Sequence, residues 1–195
     1  MLVLRPPDGE QSVRQLMLLN ISCLPINYGT NPRSTHYKRT NSETSFWTMM
    51  AYRHHFNDQN GTDCEEDAPM LVGAITVSNR NSNCSCCSSN KTDGVVQPQK
   101  QMFAVQILTL AVLPTFRRHG VATRLLNSLI YQCEKWANVE KIVLHCQTTN
   151  EAALCLYRVH GFEVVQQIHG HYQCRAIDGE SADAFLLERR FTNEK

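Results

Sequence analysis

Along this chain the spacing of apolar residues switches between a helical and a strand period, and the switches mark the elements. From Gln11 to Cys23, apolar residues at Val13, Leu16, Met17, Leu19 and Ile21 have the spacing of a short helix, which Leu24-Pro25-Ile26-Asn27-Tyr28-Gly29 ends in a turn. A polar stretch follows to Asn41, and Phe46 to Phe56 then carries aromatic and Met residues at helix-like intervals. Asn57 to Pro69 is acidic and polar and reads as a loop. Met70-Leu-Val-Gly-Ala-Ile-Thr-Val77 is a strand, expected to form a hairpin with a longer one from Met102 to Leu113. Between the two strands, Ser78 to Gln101 is rich in Asn, Ser and Cys. A connection of more than about 15 residues with nothing to bury reads as a mobile insertion.

The clearest helix runs from Val121 to Ala137. Val121, Leu125, Leu129, Cys133 and Ala137 recur every four residues, and Ala122, Leu126, Ile130 and Trp136 widen the stripe. Lys141 to Gln147 is a short buried strand, and Thr148-Thr149-Asn150-Glu151 caps a helix from Ala152 to Val159 that closes at Gly161. Two strands end the chain, Glu163 to Tyr172 and Ala182 to Phe191, with Asp178-Gly179 in the turn region. Alternating helices and strands without internal repeats predict a mixed α/β (α+β) fold. One domain spans residues 1–195, with insertions at 57–69 and 78–101.

Composition narrows the function class. With 195 residues, 42% hydrophobic and 19% charged, the chain has the make-up of an ordinary globular domain with a sizeable core. Its net charge of +1 gives no general attraction for nucleic acid or an acidic membrane. It contains no run of about 20 apolar residues, and Leu2-Val3-Leu4 is cut short by Arg5-Pro6-Pro7, unlike a secretory signal. The nine cysteines are odd in number, and Cys133, Cys146 and Cys155 sit within apolar element patterns. They read as reduced thiols of a cytoplasmic protein with a nuclear fraction allowed, so the sequons at Asn20, Asn60, Asn83 and Asn90 carry no meaning.

The candidate chemistry centres on Gln106 to Leu126: a buried strand, the basic turn Arg117-Arg118-His119-Gly120-Val121-Ala122, and the start of the main helix. Basic residues and backbone N–H groups at a helix N-terminus form an anion site, so a phosphate-bearing ligand is expected there. Cys84-Ser-Cys86-Cys87 raises zinc, but structural zinc needs a second ligand pair that is not evident, so these read as loop thiols and no metal is assigned. His54-His55 reads as surface.

Arg117, Gly120 and Ala122, together with Asn150 and Leu156-Tyr157-Arg158-Val159-His160-Gly161-Phe162 in that order, resemble the GCN5-related N-acetyltransferase (GNAT) superfamily and its Gln/Arg-x-x-Gly-x-Gly/Ala pyrophosphate motif. Leu24 to Tyr28, Ile107-Leu108-Thr109-Leu110, Leu144-His145-Cys-Gln-Thr-Thr-Asn150 and His171-Tyr172 further resemble the catalytic subunit of NatE-type N-terminal acetyltransferases. The resemblance implies a mixed, mostly antiparallel sheet flanked by helices, with acetyl-CoA in the splay between two adjacent strands. It also implies transfer of acetyl to the α-amino group of proteins that begin Met followed by a hydrophobic residue.

Roles follow from the same resemblance. Leu110, Ala111 and Val112 would hold the pantetheine through backbone groups and polarise the thioester. N–H groups from Arg118 through His119, Gly120, Val121 and Ala122 to Thr123 would face the pyrophosphate. Asn150 would contact the cofactor, and Tyr157 would either protonate the leaving thiolate or pack beneath it. His145 matches a histidine that takes the amine proton through a water. Gln106 stands where the family has a tyrosine, and glutamine holds a water but does not titrate. Leu24, Pro25, Ile26 and Tyr28 match the loop around the first side chain, with Leu108 on the same side. His171 and Tyr172 match an opposing hairpin in which the family has two tyrosines. Partners implied are protein N-terminal peptides and the auxiliary and catalytic subunits of a NatA-type complex at the ribosome. Gln106 keeps open a weakly active CoA-binding subunit, and a different amine substrate is the remaining alternative.

Overall fold

The computed structural model describes residues 1–24, 46–53, 69–81, 102–136, 138–172 and 182–191. Seven strands and three helices occur among them: β1 (Leu2–Arg5), α1 (Glu10–Cys23), β2 (Phe46–Arg53), β3 (Met70–Asn81), β4 (Phe103–Val112), α2 (Val121–Lys135), β5 (Val139–Gln147), α3 (Glu151–Val159), β6 (Glu163–Ile168) and β7 (Ala184–Arg190). A 3-10 turn at Pro114–Phe116 joins β4 to α2. The strands form one sheet in the order β1-β2-β3-β4-β5-β7-β6. Of the pairings with a recorded register, β1–β2, β5–β7 and β6–β7 are antiparallel and β4–β5 is parallel. This is the mixed, mostly antiparallel sheet flanked by helices that the sequence predicts.

The chain divides into two compact units, Met1–Thr76 with Thr109–Ser128, and Val77–Leu108 with Leu129–Lys195. In the first unit, Leu16 and Leu19 of α1 pack with Met50 and Tyr52 of β2, Leu71 and Ala74 of β3 and Ala111 of β4. Fully burying one such aliphatic side chain contributes about 1.5–3 kcal/mol. Gly73 lets elements approach closely here. A Cβ on it would lie 2.9 Å from Val121 Cγ1 and 3.0 Å from the Ala111 carbonyl oxygen. The hydrogen at this position therefore sets how near the first residue of α2 comes to β3.

In the second unit, β5 is the middle strand. It pairs with β4 from Phe103–Val139 to Ile107–Leu144 and with β7 from Lys141–Arg190 to Gln147–Ala184. Leu129, Ile130 and Cys133 of α2 and Ile142, Leu144 and Leu187 of the sheet are buried. Desolvation pushes the Cys133 thiol up to about 12, with the neighbouring Glu134 carboxylate adding to it, and pushes Cys146 up to about 11. Both thiols are protonated and inert near neutrality.

Three expectations are corrected. Phe46–Arg53 is a strand, not a helix: half-buried Trp47 and Met49 alternate with buried Thr48 and Met50, the period of two that a paired, aromatic-rich segment adopts. β3 runs four residues beyond Val77, so Ser78–Asn81 belong to a strand and not to the insertion. β6 stops at Ile168, which leaves His169–Tyr172 in a turn. β1 has no counterpart in the sequence reading, because four residues are too few to display a period; its pairing with β2 defines it. The expected loop at 57–69, apart from Pro69, the remainder of the insertion to Gln101, Cys84 to Cys87, His54-His55 and Asp178-Gly179 lie outside the described residues.

Candidate active site

In the first unit, the segment after β4 is the candidate anion turn, built from bonds within the segment and two to more distant carbonyls. The Leu113 N–H donates to the Val72 carbonyl at 2.9 Å, Phe116 N–H to Leu113 at 2.8 Å, and Arg117 N–H to Pro114 at 3.2 Å. Proline at the start of this turn supplies the φ it requires. The Arg117 side chain folds back, donating from Nε to the Val112 carbonyl at 3.3 Å and from Nη2 to the Cys23 carbonyl at 3.4 Å. Arg117 thus locks the turn, and the exposed cation beside it is Arg118.

Arg118 holds a left-handed conformation with φ 64, which costs a residue with a Cβ about 1–2 kcal/mol. Gly120 follows at φ 76, and His119 Nδ1 lies 2.8 Å from the Arg117 carbonyl oxygen. Two left-handed residues bracket His119 and turn the chain into α2. The N–H groups of Val121, Ala122 and Thr123 belong to the first turn of that helix, which has no partners within the helix for them. Space is open beside Gly120, where a Cβ would meet no atom within 4 Å. These features fit an incoming pyrophosphate, through oriented N–H groups, a helix dipole and the Arg118 guanidinium, which is exposed beside the folded-back Arg117.

In the second unit, Gln106 is buried on β4 with Val143 as its register partner, and His145 lies two residues further along β5. Side chains two apart share a face of a sheet, so Gln106, Val143 and His145 project from the same face. That face also holds Glu188, opposite Val143, and Leu186, opposite His145. The buried Glu188 carboxylate accepts from Lys141 Nζ at 2.7 Å and pairs with Arg190 at 3.2 Å. Sequence reasoning passed over this ion pair, because Lys141 and Glu188 are 47 residues apart and their spacing carries no signal.

His145 is half-buried and stacks on the His171 ring, with centroids 4.2 Å apart and planes 15° apart. The His171 ring meets buried Tyr172 edge-on at 4.7 Å and 83°. The fold thus brings together three residues picked out by the sequence from two distant segments. Their turn is fixed from β7's side: Asp183 Oδ1 accepts from the Gly170 N–H at 2.9 Å, and Asp183 Oδ2 lies 2.9 Å from His169 Nδ1 and 3.5 Å from Gln167 Nε2. The Gly170 N–H, then the His169 side chain, hold the Asp183 carboxyl below the usual carboxylate range. Asp183 is a further residue that the sequence reading missed.

Tyr157 is placed by the end of α3. Gly161, at φ 78, lets the Phe162 N–H reach the Tyr157 carbonyl and the Gly161 N–H reach that of Arg158, each at 3.0 Å. This 6→1 and 5→2 pattern brings the residue after the glycine onto the one five positions earlier. Phe162 accordingly meets Tyr157 edge-on at 5.6 Å, and Tyr157 is buried. Asn150 is the N-cap of α3, its Oδ1 accepting from the Ala153 N–H at 3.1 Å, so a contact to a ligand falls to its amide nitrogen.

The remaining candidates follow α1, sit on β4 or lie outside the described residues. Leu24 packs against the core of the first unit, while Pro25, Ile26 and Tyr28 lie outside the described residues. Leu108 and Leu110 are half-buried on β4, and Ala111 and Val112 are buried at its end. Among the described residues, no group of three or more His, Cys, Asp or Glu is placed to hold a metal ion.

Comparison with known proteins gives the same reading. The model of the acetyltransferase (GNAT) family matches residues 30–162. N-alpha-acetyltransferase 50 of Danio rerio is 29% identical over 91% of this chain and 82% of its own length. Among solved structures, Arabidopsis thaliana NAA60 in complex with a bisubstrate analogue has a TM-score of 0.75 at 21% identity, covering 98% of this chain and 100% of that one. Arabidopsis thaliana Naa50 in complex with the bisubstrate analogue CoA-Ac-MVNAL has a TM-score of 0.66 at 23% identity, covering 97% and 99%.

Proposed function

The chain belongs to the GNAT acetyltransferase family, and we propose that it transfers acetyl from acetyl-CoA to the α-amino group of protein N-termini, with Met followed by a hydrophobic residue as the preferred start. The observation that carries the choice of amine is the pairing of His145 with a buried glutamine, Gln106, on the same face of the sheet. An imidazole is a base near neutrality and glutamine does not titrate, so proton demand on this site has to be low. An α-amino group has a pKa of about 7.7–8.0, which leaves about 20–35% neutral at pH 7.4. A lysine side chain at about 10.4 is only about 0.1% neutral there. The site suits the first amine and not the second.

In this reading the nitrogen of the neutral amine attacks the thioester carbonyl carbon, the N–C bond forms and the C–S bond breaks. His145 takes the amine proton, directly or through a water held with Gln106. Backbone groups of Leu110 to Val112 receive the acyl arm, and the turn Arg118 to Thr123 receives the pyrophosphate. Tyr157 is the group assigned to the departing thiolate. His171 and Tyr172 are assigned to the peptide, with Leu24 to Tyr28 and Leu108 around its first side chain. The Met-Val start of the analogue bound to Arabidopsis Naa50 supports the preference for Met followed by an apolar residue.

Gln106 also favours a second reading, a CoA-binding subunit of low activity docked on a NatA-type complex at the ribosome. One experiment separates the two: turnover of acetyl-CoA on short peptides beginning Met-Leu, Met-Lys and Ser-Glu, and on an N-terminally blocked peptide with an internal lysine. The enzyme reading predicts turnover highest on Met-Leu and lowest on the blocked peptide. Acetyl-CoA binding without turnover on any peptide would favour the second reading instead.

A further inference from the structure

We infer that His171 is the positioning residue of the base His145, and that Asp183 is the anchor that holds it there. The inference rests on the assignment of His145 as the base and adds what fixes its ring. The torsion that turns an imidazole about its Cβ–Cγ bond is broad and roughly two-fold, so a strand backbone does not set the ring plane. A neighbour has to set it, because proton transfer requires a ring nitrogen aimed at the amine or its bridging water. The His171 ring is a neighbour placed to do so, lying 4.2 Å from the His145 ring and 15° from parallel.

His171 is exposed and sits in a four-residue turn, a place where a side chain ordinarily sweeps through many positions. Here the turn is tied at both flanks. The Tyr172 N–H donates to the Ala182 carbonyl at 2.8 Å, and the Asp183 carboxylate takes the Gly170 N–H at 2.9 Å. The Asp183 carbonyl also accepts the Thr148 N–H at 3.2 Å, which is three residues beyond His145. One residue therefore grips both the turn bearing His171 and the end of the strand bearing His145. Tyr172, buried, meets the His171 ring edge-on at 4.7 Å.

A flat ring at position 171 is what this role needs, not an imidazole as such. His171→Ala is expected to lower kcat about tenfold, within the range that a misplaced base costs, in addition to any rise in the KM for peptide from the lost contact there. His171→Phe restores most of the loss. Asp183→Ala gives a similar fall, and Asp183→Ala with His171→Ala is no slower than His171→Ala alone, because the two act through one path. The inference is overturned if His171→Ala keeps its kcat, if His171→Phe is as slow as the alanine variant, or if the double variant shows the product of the two losses.

A readout independent of turnover accompanies these. In the free protein with 13C-labelled histidine, the His145 ring-proton signal carries the ring-current shift of a stacked neighbour. The shift is lost in His171→Ala and in Asp183→Ala and is restored in His171→Phe. An unchanged His145 signal in His171→Ala refutes the stack. If the unaltered protein acetylates no peptide, the proposed function fails while the NMR arm still decides whether Asp183 and His171 hold this ring.

Discussion

Between Leu113 and Val121 the chain turns mainly on bonds within the segment, with the Val72 and Cys23 carbonyls accepting at its base, whereas between His169 and Tyr172 it turns on Asp183, 13 residues beyond Gly170. The first turn is closed by backbone bonds three residues apart, a proline, a folded-back arginine and two left-handed residues. The second is closed by a carboxylate from just before β7, and its own ring, His171, stacks on the base candidate His145 of β5. The contrast follows the chemistry proposed for each region. Phosphate groups are held by backbone N–H groups, which local geometry alone can orient. A base needs a side chain aimed in one direction, and that takes packing from residues far apart in sequence.

The largest expected effect separates the two regions cleanly. His145→Ala lowers kcat for a Met-Leu peptide by about a hundredfold or more, the usual share of a general base, while acetyl-CoA affinity by titration calorimetry stays within about twofold of the unaltered protein. Equal loss of both would mean that the base and the anion turn are not separate in function.

Gly73→Ala tests the local turn from beneath. The added Cβ, 2.9 Å from Val121 Cγ1 and 3.0 Å from the Ala111 oxygen, forces β3 and the start of α2 apart. Overpacking of this kind costs about 1–3 kcal/mol, a fall in Tm of about 2–12 °C for a chain of this size. Acetyl-CoA affinity should fall with it.

A smaller effect is expected at Gly161→Ala. With φ 78 and Arg189 Nη1 3.3 Å from the new Cβ, the end of α3 loosens at a cost of about 1 kcal/mol. Near-UV circular dichroism reads this as a changed Tyr157 signal.

The smallest effect concerns pH. The Asp183 carboxyl is held below the ordinary carboxylate value of about 3.9, so its stabilisation of the turn is full above about that value and is lost only as pH falls below it. The hydrogen-bonded Gly170 amide signal should accordingly collapse toward its unbonded position only in an acid step below about pH 4. The absence of any such acid step would mean that the clamp is not Asp183.

The same contrast explains what could be read before the structure. α2, α3, β5 and the basic turn were legible because their signals are local: a four-residue apolar repeat from Val121, Asn150 as a cap, Gly161 as a terminator. Tyr157, Gly161 and Phe162 stood out as a motif, and the end of α3 shows why, since the glycine brings the two rings together. β2 was misread because Met and aromatic residues suit either period over eight positions, and only pairing with β1 and β3 decides between them. Asp183 and the Lys141–Glu188 pair were invisible because an acidic residue in a polar segment looks the same whether or not it holds another turn. His145 and His171 were each noticed, but their stacking depends on tertiary packing.

The central claim is that this site acetylates an α-amine and leaves lysine alone. It is tested most directly by one peptide with both groups, Met-Leu at its start and an unblocked lysine inside, incubated with acetyl-CoA and the protein at pH 7.4. Fragmentation mass spectrometry then locates the acetyl group. The account predicts that it sits on the N-terminal nitrogen in essentially every modified molecule. Acetyl on the lysine at a comparable rate would contradict it.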